Sequence, residues 1–223
     1  MKCYADDYCQ KKSDTSCHDL CGGYRVLRAL FRLSRIPVMY QYNIPLIPQE
    51  GDYNAFVALN EFKENIVANV EEGKGLYIWG EHTGNGKTSW ACKIMSHYFR
   101  KIAFSSGLEN EGLFIYLPIF LNKLRDNYSN PDPEFKEELE MVMNCNLLII
   151  DDIGTERATE WVREQIVSII TERVNNGLST IYTSNLSINA LAEKMGDARI
   201  GSRIKGSTQE IHLTGKDNRG VEL

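Results

Sequence analysis

Residues 75–91, GLYIWGEHTGNGKTSWA, constrain the fold more than any other stretch of the chain. A short apolar strand runs into a glycine-rich turn, and the turn opens a segment with helical periodicity. Such a turn gathers backbone N–H groups at a helix N-terminus, where the helix dipole also favours an anion. Around a nucleoside triphosphate it takes the form G-x-x-x-x-G-K-[ST], in which the lysine reaches the β- and γ-phosphates and the hydroxyl ligates Mg²⁺. Gly86, Lys87 and Thr88 satisfy the end of that pattern, Gly84 and Asn85 lie inside the loop, and Ser89 follows in the first helical turn. The beginning departs from it, because Glu81 stands where the first glycine belongs and Gly80 comes one place early. The loop reads as one residue longer than the pattern, with Gly80 making the turn and residues 81–83 bulging outward. ATP with Mg²⁺ is the expected ligand.

From about residue 54 onward, helices alternate with short apolar strands, which predicts an α/β fold with a mostly parallel sheet. AFVALNEFKENIVANV reads as a helix, KTSWACKIMSHYFRKIAF as the helix opened by the loop, and GLFIYLP as a strand. A helix lies within PEFKEELEMVM; EWVREQIVSIITERVNN is another, with Val162, Ile166, Ile169, Ile170 and Val174 on one side and Gly177 as its stop. STIYTSN is a further strand. The strand NLLIIDD is apolar throughout until it ends in two carboxylates, the Walker B arrangement. Asp151 is then the Mg²⁺ ligand and Asp152 the group that orients or deprotonates the attacking water, a shorter carboxylate than the glutamate common at that place. The bland alternative is an acidic strand end that caps the next helix.

The first tenth of the chain has a different character. Cys3, Cys9, Cys17 and Cys21 crowd together, while Cys92 and Cys145 fall in predicted core. No stretch of signal-peptide or membrane-span length precedes or follows them, so a cytosolic protein with reduced thiols is expected. Four thiolates close a tetrahedral Zn²⁺ shell and let a short polar segment fold; an iron–sulfur cluster or free thiols remain open, and His18 is a substitute ligand or a surface histidine. Next, GYRVLRALFRLSRIPVMY places Val26, Leu27, Leu30 and Leu33 at helical spacing. Arg25, Arg28, Arg32 and Arg35 share about a quarter of that helix's circumference. This stripe is a solvated face, or a dock for an acidic partner or phosphates. Because the formal net charge is −5, nucleic-acid binding, if present, is confined to a local basic patch. The expected division is a head with its helix at 1–36, a proline-rich linker at 37–53 and the ATPase domain at 54–223.

Together, LLIIDDIGTERATEW, STIYTSN and ARIGSRI resemble the AAA+ replicative helicase loaders of the DnaC/DnaI type, phage versions included, and the resemblance spans nearly the whole chain. It implies an ATPase that self-associates into an AAA+ oligomer and delivers a DnaB-type helicase to single-stranded DNA. By the same resemblance, the Ile36-Pro37 linker joins a small metal-binding head to the AAA+ domain. Asn185 corresponds to the sensor-1 residue near the γ-phosphate, and Arg203 to an arginine finger serving the neighbouring subunit, with Arg199 assisting. The resemblance leads us to expect no helical lid before Leu223, so a sensor-2 residue is not expected, with Arg219 in TGKDNRG a candidate approximation to one. Two alternatives stand beside the loader: an IstB-type transposition ATPase, and a module that sequesters a helicase with negligible turnover.

Overall fold

The computed structural model describes residues 21–41, 46–49 and 51–215. In chain order the elements are α1 (Gly22–Leu33), α2 (Tyr53–Glu64), α3 (Ile66–Glu71), β1 (Gly75–Trp79), α4 (Lys87–Ile102), β2 (Gly112–Tyr116), α5 (Leu117–Ser129), α6 (Pro133–Asn144), β3 (Leu147–Asp151), α7 (Glu160–Asn175), β4 (Ser179–Ser184), α8 (Ile188–Met195), α9 (Ala198–Ser207) and β5 (Thr208–His212). The strands form one five-stranded sheet in the order β2-β3-β4-β1-β5. Every pairing is parallel, with Leu76 opposite Ile181, Ile149 opposite Ile181 and Phe114 opposite Ile149. Chain order is broken between β1 and β4, and a crevice at the carboxyl ends of the strands beside such a break is where open α/β sheets bind ligands.

Both faces of the sheet are covered, which is why β3 needs apolar residues at successive positions rather than at alternate ones. On one face Leu76, Ile78, Leu147, Ile149 and Ile181 join Leu27, Leu30 and Phe31 of α1, Leu59 and Phe62 of α2, and the buried side of α4. On the other, Tyr77, Leu148, Ile150 and Tyr182 pack against α5 to α9 through residues such as Phe120, Val142, Ile166, Leu191 and Ile204. The basic helix α1 is thus anchored in the main core, and the backbone N–H of Phe114 on the edge strand donates to Ser34 O at 2.7 Å.

Several elements depart from the sequence expectation. The helix expected through residues 55–70 is two helices meeting at Asn65. Strand β2 stops at Tyr116, and α5 begins at once with Pro118 in its first turn, where the missing N–H is not needed. Leu33, placed by its spacing on the apolar face, is 41% exposed, whereas Phe31 is buried. Arg173 is fully buried on the core face of α7. Its guanidinium donates to Thr180 Oγ1 (2.8 Å), Val142 O (2.9 Å), Cys145 O (3.0 Å) and Ser179 O (2.6 Å), so backbone oxygens replace the water it has lost. Among the described residues no helix is long and apolar enough to cross a membrane.

Candidate nucleotide-binding cleft

The chain leaves β1 at Gly80. A side chain cannot stand there, since a Cβ would lie 2.1 Å from Leu213 O and 2.5 Å from Asn85 Nδ2. Residues 81–83 are exposed, and the loop then turns back through Gly84 and Gly86, whose φ values of +76° and +96° suit only glycine. Gly86 is the residue before α4, so the loop delivers its backbone to a helix N-terminus. Lys87 is buried, and its Nζ donates to Gly80 O (2.9 Å), His82 O (2.8 Å) and Asn85 Oδ1 (3.0 Å). The exposed part of the loop has its own anchor. Glu81 Oε2 lies 3.0 Å from His212 Nε2, and the His212 ring stacks on Trp79 at 3.7 Å and 7°. That hydrogen bond holds the Glu81 carboxyl below the usual range.

Across the crevice, the end of β3 presents the carboxylate pair. Asp151 Oδ1 accepts from Thr88 Oγ1 (2.8 Å) and Thr183 Oγ1 (2.6 Å). Burial raises its pKa, and the two hydroxyls oppose the shift. Thr183 Oγ1 in turn accepts the backbone N–H of Asp152 at 2.9 Å, which braces Asp152 in a left-handed conformation (φ +65°) that non-glycine residues seldom adopt. Asp152 then faces Tyr116 Oη at 3.4 Å and Asn185 Nδ2 at 3.5 Å. Hydroxyl and carboxylate oxygens from Thr88 and Asp151 form the hard-oxygen donor set that suits Mg²⁺. Glu156 is turned into its own loop, accepting from Gly154 N at 3.1 Å, and burial raises its pKa.

A cleft of about 980 Å³ joins these groups, lined by Thr83–Ser89, Asp151, Asp152, Asn185 and Thr183. Sequence reasoning missed its other wall. Residues 37, 39, 40 and 46–49 of the segment read as a linker, with Phe56 of α2, lean over the loop. Asp52 fixes that wall: it is 5% exposed and accepts from Thr214 N (2.7 Å), Thr214 Oγ1 (2.7 Å) and Gly215 N (2.9 Å). Neither Thr183 nor Tyr116 carries a motif signature, although Thr183 stands two places before Asn185 in YTSN.

The two arginines sit apart. Arg199 and Arg203 are on α9, outside the residues lining the cleft. Arg199 forms an ion pair with Asp197 (2.6 Å), which raises its pKa. Arg219 and three of the four clustered cysteines lie outside the described residues; Cys21, half-buried, immediately precedes α1. No cluster of three or more His, Cys, Asp or Glu side chains that could hold a metal ion occurs among the described residues.

Residues 66–207 match the IstB-like ATP binding proteins. The chain belongs to this family. Its IstB-like AAA+ domain is homologous to the DnaI and DnaC helicase loaders. It is 30% identical over 160 residues to the replicative helicase loader DnaI of Bacillus subtilis, across 66% of this chain and 48% of that one. Among solved structures, the DnaC helicase loader matches with a TM-score of 0.64 at 30% identity, across 76% of this chain and 94% of that one. DnaI matches with a TM-score of 0.58 at 27% identity, across 87% and 93%. The chain spans about half the length of the curated relatives it matches.

Proposed function

We propose that this IstB-like protein is a cytosolic ATPase that loads a DnaB-type ring helicase onto single-stranded DNA, and that its AAA+ domains self-associate to do so. The observation that carries the reading is the continuous linkage Thr88–Asp151–Thr183–Asp152, which ties the phosphate loop to the end of β3 in a chain 30% identical to DnaI. The transposition-helper alternative has the same family core in its favour, but the DnaI and DnaC likenesses point to loading. In this mechanism Lys87 exchanges its loop oxygens for β- and γ-phosphate oxygens, while the backbone of Gly84–Thr88 wraps the phosphates. Mg²⁺, held by Thr88 and Asp151, would neutralise charge on the phosphates. Asp152, braced by Thr183, aligns the attacking water with help from Asn185. Arg203, assisted by Arg199, reaches the γ-phosphate of a neighbouring subunit. Support for action in trans comes from the absence of both arginines from the lining of their own chain's cleft. A zinc-bearing head belongs to the same reading and rests on the cysteine spacing alone.

Two measurements on the full chain test the proposal: steady-state ATPase with and without single-stranded DNA, and co-purification with a purified DnaB-type helicase in the presence of ATP. Turnover that DNA or helicase modulates, together with capture of the ring, supports loading. Turnover at the uncatalysed level with capture intact selects the sequestering module. Absence of capture with active turnover overturns the helicase partner.

A further inference from the structure

The ends of β2 and β4 converge on Asp152. From the β4 side its backbone N–H donates to Thr183 Oγ1 at 2.9 Å, and its Oδ1 faces Asn185 Nδ2 at 3.5 Å. From the β2 side its other carboxylate oxygen, Oδ2, accepts from Tyr116 Oη at 3.4 Å. Tyr116 is the last residue of β2, an edge strand, and in the parallel register it stands opposite Asp151. Alternation along β2 sends Leu113 and Ile115 into the core shared with α5 to α9 and turns Phe114 and Tyr116 to the other face, where both line the cleft. Tyr116 also directly precedes α5 in an extended conformation (φ −88°, ψ 107°), so the sheet and a helix start together fix where its side chain begins. At 40% exposure the residue is not needed to fill the core. Its hydroxyl instead supplies a neutral donor beside an anion. Partial burial and then the charge of Asp152 raise its pKa, so at neutral pH the oxygen keeps its proton and donates to the carboxylate.

We infer that Tyr116 is a positioning residue for hydrolysis: its hydroxyl holds Oδ2 of Asp152 so that the carboxylate presents a fixed lone pair to the attacking water. The last torsion of an aspartate side chain is broad, and a single donor on Oδ1 leaves the carboxylate room to turn. Donors from two different strand ends, one to each oxygen, remove that freedom. A group that aligns a water loses rate when its own orientation wanders, because the reacting atoms then meet less often in line. Hydrogen bonds around a catalytic group are commonly long before substrate binds and tighten in the complex. The inference rests on the proposal that Asp152 aligns the water, and goes beyond it in giving the edge strand β2, which carries no nucleotide-binding motif, a part in turnover.

The test is steady-state ATPase of the full chain in a two-by-two set: wild type, Tyr116→Phe, Asp152→Asn and the double variant. Each is also titrated with a fluorescent ATP analogue, and the slow variants are measured at high enzyme concentration. Phenylalanine keeps the ring and removes only the hydroxyl. Tyr116→Phe should lower kcat about 5- to 30-fold, as expected for one lost hydrogen bond to a charged group, with KM and analogue affinity within about twofold of wild type. In the Asp152→Asn background the same substitution should cost less than about twofold, since no carboxylate is left to hold. Wild-type kcat in Tyr116→Phe would overturn the inference and leave the reading of Asp152 standing. An equal fall in both backgrounds would also overturn it, because the effect would then be independent of Asp152. Wild-type turnover in Asp152→Asn would overturn the reading of Asp152 and the positioning role with it.

Discussion

The strand-end cleft and the helix α9 hold the two halves of the proposed catalytic apparatus, and they are built in opposite ways. In the cleft, the functional groups are buried or half-buried and held by hydrogen bonds within their own chain: Lys87 has three oxygen partners, Asp151 has two hydroxyls, and the Asp152 backbone is braced through Thr183. On α9, Arg199 is 66% exposed at its side chain and bonded only to Asp197 beside it, and Arg203 does not line the cleft. A preorganised site can bind nucleotide as a single chain. In the proposed mechanism the α9 arginines act on a phosphate that a second subunit brings. On that proposal nucleotide binding and hydrolysis are separable, with assembly as the proposed link between them.

The largest effect that would sharpen this contrast is expected at Arg203. Arginine fingers are worth about 10³ to 10⁵ in rate where they are known, so Arg203→Ala should lose hydrolysis to that order in a phosphate-release assay while ATP affinity stays near wild type. On the cleft side, Asp152→Asn keeps the metal ligand but removes the partner of the water; turnover should fall about 10²- to 10⁴-fold with ATP still bound. Retained turnover would move the base to another carboxylate, and Glu156 would first have to leave its bond to Gly154 N. At the opposite wall, Asp52→Ala strands the buried Gly215 N–H and removes the partner of the part-buried Thr214 N–H, and should lower stability to chemical denaturation by about 1 to 3 kcal/mol, with ATP affinity falling as the wall loosens. The smallest change is expected from Glu81→Gly. Its side chain is 60% exposed, and its removal should shift stability by no more than about 0.5 kcal/mol and leave ATP binding nearly unchanged. A large loss of affinity would mean that Glu81, clasped to His212, positions the loop rather than bulging from it.

What the sequence revealed follows from how local each feature is. Strand β3 is readable because a central parallel strand needs apolar side chains on both faces, and NLLIID supplies them in an unbroken run. The loop is readable because Gly84, Gly86, Lys87 and Thr88 act within a few residues of one another. Other parts depend on contacts across long separations. Thr183 reaches Asp151 over 32 positions, and Asp52 reaches Thr214 over 162, so neither forms a motif. Helix α5 was hidden because GLFIYLPIFLNKL carries its apolar residues without a polar break, and period alone does not mark where strand becomes helix. Arg173 contradicts its type: a charge on the core side of α7 is tolerable only because four oxygens converge on it, and nothing in EWVREQIVSIITERVNN announces them.

The claim that hydrolysis needs two chains is tested most directly by mixing two inactive proteins. Lys87→Ala cannot hold the triphosphate but still offers its α9 arginine; Arg203→Ala has an intact cleft but offers none. Combined at concentrations where co-assembly is verified by sedimentation, they should recover part of the wild-type ATPase rate, because some clefts with Lys87 then adjoin subunits with Arg203. Full turnover by Arg203→Ala on its own, or no recovery in mixtures that have demonstrably co-assembled, would contradict it.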